Sequence, residues 1–564
     1  MKRILFAASA LLWACTPHEV NPEEQFDDPI LGIPVSQITI GKVEAMPNLP
    51  DTYAMLDWRQ KALDYDAYVF DWNRSDAVGP LIWLDQTHRN GGGDTFGLYT
   101  TVGDARQGPS NPAAHEAINT LAAVMGGGLV GIDKTSQDGY NYAKMVQNYF
   151  AVSNNWNIML NGTSGFATDW WYNVLPNLLY YGVCDLFPNV DGAREIQQKI
   201  ADQFARADAA LGDNYGWSYF NYGTMTGKRT GIPAQEDAAG GHAYILLNAY
   251  RLFGNEQYLE HAKHALSVLD NQTQSRFYEI ILPFGIYAAA CMNAAEGTDY
   301  DITKMLNWVF NGGVGRRDWG VIVGKWGDYC VYGLQGSITD GGGYAFQMNS
   351  YEMAWPLVPM VKYQPAYARM IGLWMLNNAS ASRHFFPSQI ADANQSCPEL
   401  KGLTNDVIGY EGLRYSDRYG KISAHPVAQG DGPTWTSANP VSTMFSLYST
   451  SPVGIFGSII STTDVEGILS LDCNATDFYA PRPYPVHLLY NPYKEPRTVS
   501  YYPAGRSDLF DSVSRNYVAK DVSGIVPLTL PADRAMVITE MPAGTELKER
   551  NGQLVAARKH VIAW

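Results

Sequence analysis

The stretch HAYILLNAYRLFGNEQYLEHAKHALSVLD, residues 242–270, contains two helical patterns of different character on either side of Gly254. The first pattern has little charge around its circumference, which is typical of a helix that is buried on all sides. The second is amphipathic with a charged face, which is typical of a helix in an outer layer. The stretch therefore predicts a helical hairpin made of one inner and one outer helix.

The same alternation continues through most of the chain. Apolar spacing and flanking breakers predict helical runs at residues 52–70, 113–125, 139–152, 168–186, 191–211, 241–253, 255–269, 276–293, 301–310, 343–362 and 364–378. Inner and outer types mostly alternate among these eleven runs, so we predict an (α/α)6 toroid in which one helix is missed or irregular. An open superhelix and an ordinary helical bundle are the alternatives.

After about residue 385 the pattern changes to short β-branched or aromatic segments between Pro, Gly and Asp turns. VGIFGSIIST (453–462) and IVPLTL (525–530) are examples, and Asn551 with Gly552 predicts a hairpin turn. The chain is therefore expected to be mainly α with a β tail. We predict a catalytic toroid at 46–384 and an antiparallel β-sandwich domain at 385–564.

The first residues, MKRILFAASALLWACTP, have the features of a secretory signal, because Lys2 and Arg3 precede an apolar run too short to span a bilayer. The ending LWAC resembles the bacterial lipoprotein box. Residues 1–15 are therefore predicted to be a lipoprotein signal peptide with Cys15 as the lipidated residue, and residues 16–45 to be a tether. A simple signal cleavage nearby is the alternative. We expect an exported protein, lipid-anchored in the outer membrane and facing the periplasm or the cell surface.

Composition narrows the classes of function. The 564 residues carry a formal net charge of -16 and no Lys/Arg-rich run, which argues against nucleic acid as a partner. The 15 Trp and 36 Tyr residues suit the faces of sugars, although core packing accounts for many of them. GxSxG, phosphate-loop, HExxH and CxxC motifs are absent from the sequence. We predict neither a cofactor nor a metal, and the sequence leaves the oligomeric state open.

The loops that lead into the inner helices are the expected place for a site, because inner helices of a ring point the same way and begin at one mouth. We call them the mouth loops; they are GDARQGPSNPAAHEAI (103–118), GTSGFATDWWYNV (162–174), GIPAQEDAAGGHAYI (231–245), SRFYEII (275–281) and GSITDGGGYAFQM (336–348). Every mouth loop supplies a carboxylate or an aromatic residue at a helix start. A structural helix cap is the alternative for each acid taken alone.

Cleavage of a glycosidic bond needs one protonated carboxyl group and one carboxylate, so the mouth loops predict acid–base chemistry. The candidate catalytic residues are Glu116, Asp237, Asp340 and Glu236. The candidate substrate-binding residues are Asp104, Arg106, His115, Asp169, Trp170, Trp171, His242, Tyr278, Glu279, Trp326 and Tyr344. The expected partner is an oligosaccharide or a polysaccharide.

Several segments, among them HEAINTLAAVMGGGLVGIDK (115–134), DWWYNVLPN (169–177) and TDGGGYAFQMN (339–349), together resemble a family of exported Bacteroidetes proteins usually encoded with glycan-degrading enzymes. The resemblance runs from about residue 40 to 540. In this respect the chain is similar to glycoside hydrolase family 154, the toroidal β-glucuronidases that act on plant glycans such as arabinogalactan. The resemblance implies a substrate that contains a uronic acid, and it gives no catalytic role to any one carboxylate.

A uronate carboxylate needs a cation beside it. The cations near the inner-helix starts are Arg106, Arg229, Arg276 and Lys325. Two other functions stay open. A polysaccharide lyase could use Tyr278, Tyr344, His115 or His242 to remove a proton. The second alternative function is that of a non-catalytic glycan-binding lipoprotein, and the strand-rich tail argues against it.

Overall fold

The structure is a computed structural model, and it describes residues 27–88, 92–111, 116–162, 169–418 and 425–564. The predicted lipidation site Cys15 and the candidate His115 lie outside the described residues. Within the described ranges, no helix combines the length and the apolar character needed to cross a membrane.

The described residues form sixteen α-helices. They are α1 (Gly41–Glu44), α2 (Trp58–Val69), α3 (Ala117–Leu129), α4 (Tyr142–Met145), α5 (Trp171–Leu186), α6 (Ala193–Leu211), α7 (Ala238–Phe253), α8 (Glu256–Asp270), α9 (Ile281–Ala295), α10 (Ile302–Asn311), α11 (Gln347–Glu352), α12 (Ala354–Tyr363), α13 (Ala368–Ser382), α14 (Gly432–Trp435), α15 (Leu447–Thr450) and α16 (Val453–Ile459).

Six helices contact one another in a closed cycle. In order around the cycle they are α3, α5, α7, α9, α12 and α16, and α16 contacts α3 again. The helices α2, α6, α8, α10 and α13 pack against this cycle. The stretch 242–270 follows the predicted division, because residues 238–249 of α7 are all buried whereas α8 buries a stripe at helical spacing. The mainly helical character of this part of the chain is confirmed.

The segment VGIFGSIIST differs from its predicted strand. Val453–Ile459 is α16, and a strand begins only at Ile460. A short apolar run that is buried on both faces cannot be identified as helix or strand from its pattern alone. At Gly454 a Cβ atom would lie 2.2 Å from the Gly126 carbonyl oxygen, so α16 and α3 meet at glycine. Residues beyond 385 therefore contribute to the helical layer.

The first thirteen strands are short and lie between the helices. They are β1 (Ile82–Asp85), β2 (Thr95–Leu98), β3 (Phe150–Ala151), β4 (Ile158–Met159), β5 (Tyr219–Asn221), β6 (Thr226–Lys228), β7 (Trp319–Val321), β8 (Lys325–Trp326), β9 (Tyr329–Cys330), β10 (Gln335–Ser337), β11 (Tyr344–Phe346), β12 (Gly412–Arg414) and β13 (Val427–Gln429). Five of them form an antiparallel sheet in the order β13-β12-β11-β10-β7. This sheet joins the strand before α11 to β12 and β13.

The remaining strands form the tail. They are β14 (Ile460–Thr462), β15 (Leu469–Asp472), β16 (Val486–Tyr490), β17 (Arg497–Tyr501), β18 (Ser507–Asp511), β19 (Asn516–Val522), β20 (Val526–Leu530), β21 (Ala535–Pro542), β22 (Leu547–Arg550), β23 (Gln553–Ala556) and β24 (His560–Ala563). The sheet orders are β14-β15-β16-β21-β18-β19, β17-β20 and β22-β23-β24. Leu489, Val499, Leu528 and Ile538 share an apolar core between the first two sheets, and β16 and β21 contact α13. The predicted antiparallel, strand-rich tail is therefore present.

Candidate active site

Glu279, directly before α9, is a buried acid in an unusual backbone conformation. Its φ angle of +58° lies in the left-handed region that side chains other than glycine seldom adopt. Trp319 Nε1 and Gln335 Nε2 donate to the Glu279 carbonyl oxygen at 3.0 and 2.9 Å. Asn349 Nδ2 donates to the Glu279 carboxyl at 3.0 Å. Strained conformations held by several contacts in this way concentrate at functional sites.

The carboxyl group of Glu279 holds its proton at neutral pH. Burial raises the pKa of Glu279 to about 8, the negative charge of Asp169 adds to the increase, and the bond from Asn349 opposes it. A general acid needs a pKa close to the working pH, because it must be protonated before the reaction and able to release its proton during it. Glu279 meets this requirement.

Asp169, in the loop before α5, is a second buried carboxyl group and has a cation beside it. Its Oδ1 accepts a hydrogen bond from Gln235 Nε2 at 2.9 Å and lies 3.8 Å from Arg316 Nη1. The Gln235 side chain also accepts from the Trp171 backbone N–H at 2.9 Å, which ties the loops before α5 and α7 together. Glu279 and Asp169 therefore combine an acid of raised pKa with a carboxyl group that lies beside a guanidinium.

Glu116, at the start of α3, is a third acid of the same region. Asn161 Nδ2 donates to its Oε2 at 2.9 Å. Burial raises the pKa of Glu116, against the effects of the Asn161 bond and of the Arg106 charge. Glu116 lies close to the other two acids, because all three influence the same side chain, Tyr172. The pKa of Tyr172 is raised by burial and then by three nearby carboxyl groups, those of Glu116, Glu279 and Asp169.

The structure thus brings together acids from three mouth loops around Tyr172, which stacks on the Trp171 ring with 4.1 Å between centroids. The sequence analysis missed Tyr172, although it directly follows two candidate tryptophans. It also missed Tyr448, whose hydroxyl is buried without a hydrogen-bond partner among the described residues. Burial raises the pKa of Tyr448, followed by the influence of Tyr172 and Glu116. Tyr448 lies in the region predicted to be a β domain, so no sequence signal pointed to it.

Glu352, at the end of α11, is a further acid that the sequence analysis missed. Both of its carboxyl oxygens are buried, and neither has a partner in the described parts of the chain. Burial and the nearby Glu279 raise the pKa of Glu352 well above its usual value. A single acid inside the otherwise uncharged run YAFQMNSYEMAWPLVPM is the sequence signal that could have identified it.

Asp237 and Glu236, both candidate catalytic residues, have different environments. Asp237 is buried, and it accepts a hydrogen bond from the Tyr278 backbone N–H at 3.2 Å. Burial and the neighbouring Glu236 raise the pKa of Asp237 well above its usual value. Glu236 forms an ion pair with Arg276, with 2.7 Å between Oε2 and Nε. Asp237 is therefore placed to hold the backbone next to Glu279.

Asp340, the fourth candidate catalytic residue, belongs to a network of charges. It pairs with Arg317, and its Oδ2 lies 3.3 Å from Arg414 Nη1. The Arg414 guanidinium lies 3.9 Å from the centre of the Tyr344 ring, and Tyr344 donates to Glu411 at 2.9 Å. Asp340 is thus held by two guanidinium groups, an arrangement that favours a positioning role.

The glycine run after Asp340 is explained by aromatic side chains. Cβ atoms at Gly342 and Gly343 would each come within 2.5 Å of a ring, that of Tyr415 and that of Trp326. Trp326, a candidate for substrate binding, is itself buried. The run therefore makes room for protein side chains.

The structure corrects the expectation for His242 and Trp170, which do not line the mouth. The His242 ring is fully buried and hydrogen-bonded on both nitrogens, to Tyr215 at 3.1 Å and to Tyr222 at 2.7 Å. Burial lowers the pKa of His242 to about 4, so the ring is neutral. Trp170 is equally buried, and it donates to the Tyr222 hydroxyl at 3.0 Å. A histidine next to a helix start can face either layer, and the pattern did not distinguish the two.

Two cations at the site are partly exposed to solvent. Arg106 forms a two-point ion pair with the buried Asp104, at 3.0 and 2.6 Å, and 44% of its side chain is exposed. Arg316, which the sequence analysis missed, is 43% exposed and lies 4.4 Å from the centre of the Tyr278 ring. A narrow crevice lies between residues 232–235 and Arg276, Tyr278 and Arg316. Two other predicted cations also form ion pairs, Arg276 with Glu236 and Lys325 with Asp51.

Comparison with known proteins gives weak likenesses. No protein-family profile and no curated protein sequence matches the chain. A solved structure described as a glycoside hydrolase is 10% identical with a TM-score of 0.32, covering 77% of each chain. A family 127 β-arabinofuranosidase is 9% identical with a TM-score of 0.33, covering 96% of this chain and 85% of its own. The Hormoconis resinae glucoamylase is 10% identical with a TM-score of 0.30, covering 88% and 93%.

Proposed function

We propose that the chain is a glycoside hydrolase that removes a uronic acid from plant-type glycans, and that this uronic acid is β-glucuronic acid. The observation that carries the proposal is the pair formed by Glu279, whose pKa is raised by burial to about 8, and Asp169, which lies beside Arg316. Hydrolysis of a glycosidic bond needs this combination of a proton donor and a carboxylate. Nothing in the proposed reaction requires a cofactor.

In the proposed mechanism, Glu279 donates its proton to the glycosidic oxygen while the bond from that oxygen to the anomeric carbon breaks. Asp169 then either takes a proton from the water molecule that attacks the anomeric carbon, or attacks that carbon itself as the nucleophile. The strained backbone of Glu279 and its bond from Asn349 fix the direction of the acid. The water molecule consumed supplies the hydroxyl group on the released sugar and the proton that restores Glu279.

Arg316 and Arg106 are the proposed partners of the uronate carboxylate. Each has a buried aspartate on one side and a partly exposed guanidinium surface on the other. A guanidinium can bind a carboxylate with two parallel hydrogen bonds, which discriminates a uronic acid from the neutral sugar.

The finer fold and the location belong to the same proposal. The closed contact cycle supports an (α/α)6 toroid, and the apolar core between the tail sheets supports a β-sandwich. Membership of glycoside hydrolase family 154 is supported by the resemblance of the mouth-loop segments. Export and anchoring through Cys15 in the outer membrane are supported by the signal-like residues 1–15.

The experiment is an assay on oligosaccharides capped with a uronic acid, with reducing sugar and ultraviolet absorbance followed together. We expect new reducing ends without absorbance, and a fall in turnover of roughly 100-fold or more for Glu279→Gln and Asp169→Asn. Glu256→Gln, on the exposed outer helix α8, is the matched control and is expected to keep full activity.

Three results would contradict the proposal. An unsaturated product that absorbs in the ultraviolet would show a lyase. Retention of the glycan without any product would show a binding protein. Full activity in Glu279→Gln, with unchanged stability, would remove the assigned acid.

A further inference from the structure

A second cavity lies apart from the acids of the candidate active site. Its volume is about 500 Å³, and its walls come from the β8–β9 hairpin, the segment after α13, and His425. The buried or partly buried residues that matter for its chemistry are Tyr329, Arg383, His384 and Asn394, and the exposed side chain of Asp328 also lines it. None of them belongs to the mouth loops. A volume of this size is in the range of small-molecule binding sites.

Arg383 brings a buried positive charge to this cavity. It is 6% exposed, and it donates to the Ser380 hydroxyl at 3.0 Å and to the Thr52 carbonyl at 2.6 Å. These acceptors are neutral, and within the described ranges no carboxylate oxygen lies within 4.0 Å of the guanidinium. A buried charge without a partner of opposite sign is costly, so the cavity is suited to an anion.

His384 contributes a hydrogen-bond acceptor that no donor among the described residues satisfies. The ring is 2% exposed, and its Nδ1 faces the Gln389 carbonyl oxygen at 3.4 Å, which places the ring proton on Nδ1. The other nitrogen, Nε2, is buried without a partner among the described residues. Burial, with the Arg383 charge, lowers the pKa of His384 to about 3, which is consistent with a neutral ring. Nε2 can therefore accept a hydrogen bond from a hydroxyl group.

Two further groups can donate into the cavity. The Tyr329 hydroxyl accepts from the Ala391 backbone N–H at 2.9 Å, which leaves its own proton to be donated. Asn394 is 9% exposed, and among the described residues its one hydrogen bond is from its backbone N–H to the Ala391 carbonyl at 2.8 Å. An inorganic anion would satisfy Arg383 but would leave the acceptor on His384 unused. A ligand with both a carboxylate and hydroxyl groups satisfies both.

We propose that this cavity binds an acidic monosaccharide unit, with its carboxylate toward Arg383 and a hydroxyl group donating to His384 Nε2. Asn394 and Tyr329 donate to the remaining oxygens. The site binds without cleaving, because it lacks the pair of carboxyl groups that hydrolysis needs. It is independent of the reaction proposed at Glu279.

The test is calorimetric titration of the mature chain with D-glucuronate, alongside D-glucose and acetate as matched probes. D-Glucose keeps the hydroxyl groups without the charge, and acetate keeps the charge without the hydroxyl groups. We expect D-glucuronate to bind more tightly than either. Asn394→Leu is expected to weaken one binding component by roughly tenfold, as for loss of one hydrogen bond to the ligand. Arg383→Met should abolish that component.

Hydrolysis of the uronic-acid-capped substrate by Asn394→Leu should match that of the wild type, which separates this cavity from the active site. Thermal unfolding of both variants checks their folding, and Asn394→Leu keeps the test valid if Arg383→Met fails to fold. Equal binding of D-glucuronate by wild type and Asn394→Leu overturns the proposal. Equal affinity for acetate and D-glucuronate also overturns it, because the cavity would then hold a simple anion. A chain that binds D-glucuronate here but hydrolyses nothing would refute the proposed function alone.

Discussion

Asn349 on α11 donates a 3.0 Å hydrogen bond to the carboxyl group of Glu279, which lies directly before α9. This bond lowers the pKa of Glu279, against the larger effect of burial that raises it to about 8. A side chain on α11 and the burial of the segment before α9 therefore set the pKa of this acid jointly.

Removing this bond should move the pH dependence of activity. Activity that requires protonated Glu279 falls as the pH rises through the pKa of that group, about 8. In Asn349→Ala the pKa of Glu279 rises further, so the alkaline fall in kcat/KM is expected at higher pH. The measurement is kcat/KM against pH for wild type and variant. Asn271→Ala, at the exposed end of α8, is the control and should reproduce the wild-type profile. A shift to lower pH in Asn349→Ala would contradict the prediction.

Arg316 should act on binding of the uronic acid. For Arg316→Gln we expect KM to rise by roughly tenfold or more on the acidic substrate, as for loss of a charged hydrogen-bond partner. A matched substrate with a neutral terminal sugar should be affected much less. The adjacent Arg317→Gln is the control, since Arg317 is bound to Asp340. Equal effects of both variants on both substrates would show that Arg316 has no role in recognising the charge.

Glu352 should make the protein less stable as the pH rises. Its pKa in the folded chain is raised well above 4.5, so its contribution to stability is present at low pH and is lost as the pH rises toward the raised value. Glu352→Gln cannot ionise. Its free energy of unfolding should therefore increase relative to that of the wild type as the pH rises from about 5 to about 8. We expect a difference of at least ~1 kcal/mol at pH 8, measured by denaturant titration. A constant difference across this range would show that Glu352 has an ordinary pKa.

The glycine contact between α16 and α3 should not tolerate a methyl group. In Gly454→Ala the new Cβ would lie 2.2 Å from the Gly126 carbonyl oxygen, which is backbone and cannot move aside easily. We expect a loss of ~2 kcal/mol or more in the free energy of unfolding, as for overpacking of a core. Gly402→Ala is the control, because no atom lies within 4 Å of its Cβ position. Equal stability of the two variants would mean that α16 is not fixed against α3.

The helical part of the fold could be predicted because its signal is local. Within residues 242–270, the difference between a charged and an uncharged circumference separated α7 from α8, as burial in the structure bears out. The tail strands were equally visible as short segments between turns. α16 could not be recognised, because Val453–Ile459 is buried on both faces and carries no periodic polar residue.

The residues of the candidate active site could be predicted only in part from the sequence. The mouth loops identified Glu116, Asp169 and Glu279 as residues of interest, since acids at helix starts can be read directly. Their roles depend on burial and on neighbours from distant segments, such as Asn349 and Arg316, and spacing does not show these. His242 illustrates the limit, because it lies beside Asp237 and Gly241 in sequence yet is buried between two tyrosines.

The position of α16 has a consequence for how the chain reaches its folded state. The contact cycle is completed only when residues 453–459 meet residues 117–129, so more than three hundred residues must be synthesised between the two halves of that contact. Until then the apolar sides of α3 and α11 lack their cover. Long-range closure of this kind slows folding and prolongs the exposure of apolar surface. A fragment that ends near residue 385 lacks α16, so its contact cycle would stay open even when its other helices have formed.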